Sequence, residues 1–393
     1  MIINWQTKKL GEVCYFYNGL WKGKKPPYVN VGVIRNTNFT KDGYLDDAEI
    51  VFLDVEEKQF QKRELKYGDI ILEKSGGGPK QPVGRVIVFD KKEGSYSFSN
   101  FTSAIRVKNV EELDFNFLHK FLHFAYILGI TEKMQSHSTG IRNLDLGAYK
   151  NIGIPLPPLV EQRRIVKILD EVFEGIGKAK ENVGRNLKNS KELFESYLND
   201  VFAHPGEGWE KKKLGEVLNI QNGYAFDSKN FSALQGMPLI RIRDLKNSIT
   251  TDTRYMGDYD GRYIVHKGDF LIGMDGEFRC YEWKGEDALL NQRVCRLQDF
   301  KNIDPRFLFY GVNKHLKAIE DVTTYTTVKH LASRQIENIE FLLPPREDQE
   351  FIVKNLDKLL EQAKKLEEIY RGKLTDLEEL KKSVLQKAFR GEL

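Results

Sequence analysis

The sequence predicts an α+β protein in which two similar globular domains each lead into a long helix, with the two halves related by an internal pseudo-twofold repeat. Three observations carry that prediction. The stretch PLPPLVEQRRIVKILDEV from Pro155 is answered by LLPPREDQEFIVKNLDKL from Leu342, with ten identical or similar positions at a constant spacing of 187 residues. The start WQTKKLGEV at Trp5 is answered by WEKKKLGEV at Trp209, 204 residues on. Behind each Pro-Pro, apolar residues recur at helical steps that break once, at the same place in both copies.

Size and composition agree with this organisation. A chain of 393 residues exceeds one ordinary hydrophobic core, and 40% hydrophobic with 30% charged residues suits a globular protein. No apolar run approaches the roughly 18 to 20 residues that span a bilayer, and MIINWQTKKL lacks the apolar core of a signal peptide. Cys14, Cys280 and Cys295 form no C-x-x-C pair and are odd in number, so a reduced, cytoplasmic location is expected. The net charge is +4, and residues 1–155 hold the excess, with 22 Lys+Arg against 18 Asp+Glu. That is a weak pull toward an anionic partner.

Taken in order, residues 1–154 form the first domain. Short β-rich runs (YVNVGVI, DIILEK, GRVIVF) are separated by Gly and Pro turns. A helical stretch, FNFLHKFLHFAYILGI, then precedes a loop at Ser138–Leu144. Residues 155–203 form the first long helix, opened by a Pro-Pro that ends the preceding element. Its seam runs Ile165, Leu169, Val172, Ile176, Ala179, Val183, Leu187, Ser190, Phe194, Tyr197 and Val201, a heptad pattern interrupted by one extra four-residue step. Gly175, Gly177 and Gly184 weaken this helix, each by about 1 kcal/mol relative to Ala.

Residues 204–341 form the second domain, with β-rich MPLIRIRDL and DFLIGM and a helical PRFLFYGVNKHLKAI. KYGDIIL at Lys66 answers HKGDFLI at His266 with a spacing of 200, and by Thr139 and Thr326 the spacing has settled at 187. The second domain is therefore shorter, all of the loss falling between Gly19 and Ser138 of the first copy. Residues 342–393 form the C-terminal helix, with Ile352, Leu356, Leu359, Ala363, Leu366, Tyr370, Leu374 and Leu377 on its seam. A matching break in both seams implies that the two helices pair with each other, because local unwinding in one needs a partner that unwinds with it.

Motifs with chemical potential are few. KSGGGPK at Lys74–Lys80 is Gly-rich and Lys-flanked but lacks the G-x-x-x-x-G-K-[ST] pattern of a phosphate loop. It reads as a turn between strands whose small residues also permit close approach to a nucleic-acid backbone. KPPYV at Lys25–Val29 is similar to the N-P-P-Y signature of amino-group methyltransferases, but Lys25 replaces the residue that must hold the target amino group. HKFLH places His119 and His123 one helical turn apart without the Glu of H-E-x-x-H or a third ligand, so an ordinary, partly buried helix is expected and no metal site. No catalytic residues are assigned.

The duplicated blocks identify a family. LPPLVEQRRIVKILD, the STGIRNL segment at Ser138–Leu144 and the repeated Lys-Leu-Gly-Glu-Val start resemble the specificity (S) subunits of type I restriction–modification enzymes, over nearly the whole chain. The second copy departs slightly, with Thr327 for Gly140 and Asp348 for Glu161. The resemblance implies that each globular domain is a target recognition domain reading one half of a bipartite double-stranded DNA site. It implies an antiparallel coiled coil that sets the spacing and docks two methyltransferase subunits, with restriction/motor subunits joining the same assembly. The chain itself would catalyse nothing and hold no cofactor, while S-adenosylmethionine, ATP and Mg would belong to partner subunits. The other readings are an S-type subunit of a different restriction class or of a methyltransferase-only system, and a coiled-coil scaffold that reads no DNA.

Side chains able to read base edges or hold phosphates gather in the Gly-broken segments. In the first domain they are Arg35, Asn36, Lys74, Ser75, Lys80, Gln81 and Arg85, with Thr139, Arg142 and Asn143 just before the helix. In the second they are Arg241, Arg243, Arg279, Gln292 and Arg293, with Thr326, Lys329 and His330 before the C-terminal helix. The expected coiled-coil and partner-docking residues are Ile165, Leu169, Val172, Ile176, Val183 and Leu187, with Ile352, Leu356, Leu359, Leu366, Tyr370 and Leu374.

Overall fold

The computed structural model describes residues 5–20, 22–78, 81–138, 141–323 and 329–393. It divides into two compact units, Met1–Gly184 with Arg371–Leu393, and Arg185–Tyr370. The division cuts through both long helices, so each unit is a globular domain plus parts of two helices.

The first domain is built on a four-stranded antiparallel sheet in the order Cys14–Asn18, Thr102–Val107, Ile70–Glu73, Val86–Val88. The second uses the same order, Asn219–Asn222, Val294–Gln298, Phe270–Gly273, Cys280–Glu282. Each has a second sheet containing one parallel pairing, Tyr28–Ile34 on Tyr96–Phe98 in the first and Met237–Ile240 on Ala288–Leu290 in the second. A helix covers the first sheet in each domain, Phe115–Ile127 capped by Asp114 and Pro305–Val322 capped by Asp304. Ile70, Leu72, Ile105 and Phe117 fill one core. Phe270, Ile272, Leu297 and Phe307, their counterparts, fill the other. The Leu-Gly-Glu-Val repeat makes a single helical turn in each domain, burying Leu10 and Val13, or Leu214 and Val217.

Two local expectations change. The Ser138–Leu144 segment is not simply a loop: Ile141–Leu144 is a strand pairing on one side with Gln135–Ser138 and on the other with Ser75–Gly77. The Gly-rich KSGGGPK thus contributes a short strand of its own. Glycine has low strand propensity, so only the backbone pairing partner brought from far along the chain makes it one.

Both long helices run 45 residues, Leu159–Ala203 and Arg346–Arg390, or about 68 Å each. The shared glutamine behind each Pro-Pro explains why that stretch repeats. Gln162, fully buried, accepts from the Asp114 amide at 2.8 Å and donates to the Glu112 and Pro157 carbonyls, each at 2.8 Å. Gln349 accepts from the Asp304 amide at 2.7 Å and donates to the Asn302 and Pro344 carbonyls at 3.2 and 2.9 Å. One side chain thereby fixes the start of each long helix to the start of its domain's own helix.

In the first unit the helices are antiparallel. Arg164 reaches the Leu393 carbonyl and Lys180 pairs with Glu378, so positions rise on one helix as they fall on the other. Ile165, Leu169 and Ile176 are buried with Leu385, Ala388 and Phe389, and Val172, Val183 and Leu374 are half-buried. In the second unit Lys191 pairs with Glu367. There Leu356 and Ala363 are buried, and Leu187, Ile352, Leu359 and Tyr370 are half-buried. Leu366 and Tyr197 depart from the expected seam, standing 38% and 39% exposed. Their neighbours Glu367 and Leu198 are the half-buried residues. Among the described residues no helix is long and apolar enough to cross a membrane.

Candidate nucleic-acid interface

In the first domain the sheet strand ending at Glu73 runs into Lys74, where two backbone hydrogen bonds make a clasp. The Lys74 amide donates to the Phe101 carbonyl at 3.0 Å, and the Leu144 amide donates to the Lys74 carbonyl at 2.8 Å. The clasp gathers segments far apart in sequence. Ser75 Oγ donates to Asn143 Oδ1 at 2.6 Å, and Asn36 Nδ2 donates to the Ser75 carbonyl at 2.8 Å. Arg142 approaches Gln135 Oε1 at 3.5 Å, and Lys74 Nζ approaches Asn18 Oδ1 at 3.4 Å. Burial pushes the Lys74 ammonium below its ordinary pKa. Phe101, 47% exposed, stands at the same place. Arg35 sits alongside, its Nη2 at 3.5 Å from the Glu49 carbonyl, and Gln81 is exposed.

The second domain builds the same clasp. The Met274 amide donates to the Arg293 carbonyl at 2.9 Å, and the Leu331 amide donates to the Met274 carbonyl at 2.7 Å. Asp275 lies 2.7 Å from His330 Nδ1 through Oδ1 and 3.5 Å from Arg293 Nε through Oδ2. Arg293 takes a φ of +73°, in the left-handed region that a non-glycine residue adopts at some cost. Gln292 beside it is exposed, while the Lys329 ammonium is held on the Glu320 carbonyl. Arg241 is half-buried ahead of the Ile242–Asp244 turn, and Arg243 pairs with Asp252 at 2.6 Å.

Arg85, also a candidate, is engaged within its own domain. Its guanidinium binds Glu73 through Nε and Nη2 at 2.7 and 2.9 Å and also donates to the Phe39 and Asn36 carbonyls. A carboxylate as buried as Glu73 needs such a partner. At the matching place in the second domain Gly273 replaces Glu73, and Arg279 is exposed, resting over Tyr281 at 5.9 Å. Lys80, Thr139 and Thr326 lie outside the described residues. Sequence reading did not single out Phe101 or Asp275; the signal was the backbone partnership of Phe101 with Lys74 and of Asp275 with His330, invisible without the strand pairing.

The histidine pair and the cysteines are buried in the domain interiors. Burial drives His119 down to about 4 and His123 to about 3, with the positive charge of Lys120 adding to both shifts. The rings stack at 6.1 Å inside the first domain. All three cysteines are free and buried, and burial pushes the Cys14 thiol up to about 12. Among the described residues no group of three or more His, Cys, Asp or Glu is placed to hold a metal ion.

Comparison with known proteins gives these two clasps a context. The family model described as type I restriction modification DNA specificity domain matches residues 2–183 and 206–371. The MjaVIII type I restriction enzyme specificity subunit of Methanocaldococcus jannaschii is 26% identical, with 99% of this chain and 93% of that protein aligned. The EcoBI specificity subunit of Escherichia coli is 39% identical over 176 residues, which is 44% of this chain and 37% of that protein. Among solved structures, a chain from work on complex assembly and conformational transition of the type I R-M system superposes with a TM-score of 0.81 at 22% identity, covering 99% of this chain and 98% of its own. The HsdS subunit from Thermoanaerobacter tengcongensis gives 0.67 at 21% identity, covering 99% and 97%. One matched segment falls in each half of the chain, and the chain belongs to the type I restriction–modification DNA specificity family.

Proposed function

We propose that this chain is the non-catalytic DNA-specificity subunit of a type I restriction–modification complex. Each domain reads one half of a bipartite double-stranded site. The long helices set the spacing between halves and dock two methyltransferase subunits, with restriction/motor subunits completing the assembly. S-adenosylmethionine, ATP and Mg belong to those partners, and the complex works in the cytoplasm. The observation that carries this reading is the duplicated clasp: one backbone arrangement, built twice, presents different polar side chains at matching positions. A ligand that repeats along an axis with varying chemistry at its edges, as duplex DNA does, is what such a pair of readers suits.

The test is the methylation pattern of the host genome. A bipartite motif carrying N6-methyladenine, lost on deleting this gene and restored by returning it, is the expected result. An unchanged pattern overturns the proposal. With a net charge of only +4, the isolated chain is expected to bind duplexes weakly, gaining affinity when methyltransferase subunits are added.

A further inference from the structure

We propose that the three side chains carried on each clasp fix the base pair it selects: Ser75, Phe101 and Asn143 select an A·T pair, and Asp275, Arg293 and His330 a G·C pair. This rests on the DNA-reading function proposed above and adds to it a division of chemistry between the halves.

The two sets occupy matching places because the same backbone bonds define them. Phe101 and Arg293 supply the carbonyl that accepts from Lys74 and Met274, and Ser75 and Asp275 follow those residues directly. Asn143 and His330 precede Leu144 and Leu331, whose amides close the clasp. A Cβ added at Gly276, next to Asp275, would meet nothing within 4 Å, while one added at its counterpart Gly76, next to Ser75, would lie 3.2 Å from Asn36 Nδ2 and 3.7 Å from Phe101 Cδ1. The side chains differ.

Their chemistry differs in a definite direction. Asn143 has one oxygen lone pair engaged by Ser75 and keeps its amide nitrogen and second lone pair, the donor and acceptor that match adenine N7 and N6. Phe101 beside it is an exposed apolar surface of the kind that meets a thymine methyl. In the other domain Asp275 engages Arg293 at Nε, and the terminal nitrogens keep only a 3.5 Å approach from His330. A guanidinium oriented through Nε presents its fork for the bidentate contact with guanine O6 and N7. No carboxylate or guanidinium stands in the Ser75 set, and no amide in the Asp275 set.

The experiment expresses the full chain with its methyltransferase subunits in a host without background adenine methylation and maps N6-methyladenine across the genome. Asn143→Ala should relax one A·T position in one half of the motif, with a roughly 10- to 100-fold fall in preference for that pair, the range that one bidentate contact provides. Arg293→Ala should relax one G·C position in the other half by a similar factor. Asn143→Gln and Arg293→Lys, run alongside, should keep activity at a lowered fidelity for the same positions. An unchanged motif, relaxation at a pair of the opposite kind, or equal loosening of both halves overturns the assignment. So does loss of all methylation in the Ala variants with an unaltered motif in the Gln and Lys variants, since the positions would then be structural. A wild-type chain that directs no bipartite methylation overturns the DNA-reading function itself.

Discussion

Arg85 and Arg279 stand at the same point of their domains, each just before a strand that pairs with the central one, Leu72 with Val86 and Ile272 with Cys280. Yet one neutralises a buried carboxylate and the other faces solvent. Arg85→Ala is therefore expected to destabilise the first domain by about 3–5 kcal/mol, because Glu73 is left charged and unpaired. Arg279→Ala should change stability by less than about 0.5 kcal/mol, as an exposed side chain does, while weakening DNA binding by the methyltransferase complex. Chemical unfolding and duplex titration of the two variants separate these roles. Both arginines were legible in the sequence, but their difference was not, since it depends on Glu73 against Gly273, residues twelve and six positions away that only strand pairing brings together. The buried histidines make a second prediction at this scale. His119 and His123 keep their protons off down to about 4 and about 3 in the fold, while an unfolded histidine takes one near its ordinary 6.5. The unfolded state thus binds more protons over that window, and first-domain stability is full above about pH 7 and falls as pH drops toward 4. The slope is up to about 1.4 kcal/mol per pH unit for each ring. Calorimetry from pH 7.5 to 5 should show it, and His123→Gln should flatten it; an unaltered slope means carboxylates elsewhere govern the acid limb.

The long helices do more than pair. Phe389 stacks among Phe117, Phe121 and Phe124 at 5.2 to 5.4 Å in the first unit. Phe202, its counterpart 187 positions earlier, packs on Phe307 and Phe341 at 5.1 and 6.0 Å in the second. Each helix thus begins with a buried glutamine tied to one domain and ends with an aromatic ring in the core of the other. Phe389→Ala is expected to cost about 3–5 kcal/mol. The loss should be local: hydrogen exchange should rise in the Phe115–Ile127 helix and leave Pro305–Val322 unchanged, with Phe202→Ala doing the reverse. Exchange rising equally in both helices would mean the anchors are not domain-specific. The sequence made the helices and the early seam plain, because heptad spacing and Pro-Pro punctuation are local signals. It did not show the aromatic anchors, since their partners lie on other elements. Nor did it show why Leu366 turns outward, where the Lys191–Glu367 pair occupies the contact.

At the scale of the whole molecule, the matching anchors carry a prediction about halves. A fragment of residues 1–203 holds the first domain and a helix ending in Leu198, Val201 and Phe202, the counterparts of Leu385, Ala388 and Phe389. In a pair of such fragments each Phe202 would take the seat that Phe389 holds in the intact chain. Burying those apolar ends, at roughly 25 cal/mol per Å² less the cost of association, drives a twofold dimer. With its methyltransferase partner that dimer should mark a palindrome made of the first half-site, because protein symmetry is mirrored in site symmetry. Gly175, Gly177 and Gly184 now weaken both helices, and Gly→Ala changes there, where an added Cβ meets nothing within 4 Å, should tighten the dimer. A fragment that stays monomeric at micromolar concentration, or a dimer that still marks the parental asymmetric motif, would refute the symmetric model.

The seat of Phe389 also dictates when the first domain can finish folding. Leu385, Ala388 and Phe389 belong to the hydrophobic core that includes Phe117 and Ile70, yet they are made long after those residues. At about 5–20 residues per second, the roughly 230 residues between Leu156 and Phe389 take on the order of 10 to 50 seconds to make. Throughout that interval the aromatic face of the Phe115–Ile127 helix has no native cover, exposed to chaperones and to neighbouring nascent chains. A stop codon just ahead of Leu385 would remove Leu385, Ala388 and Phe389 together. The domain it would leave uncovered is the first of the two.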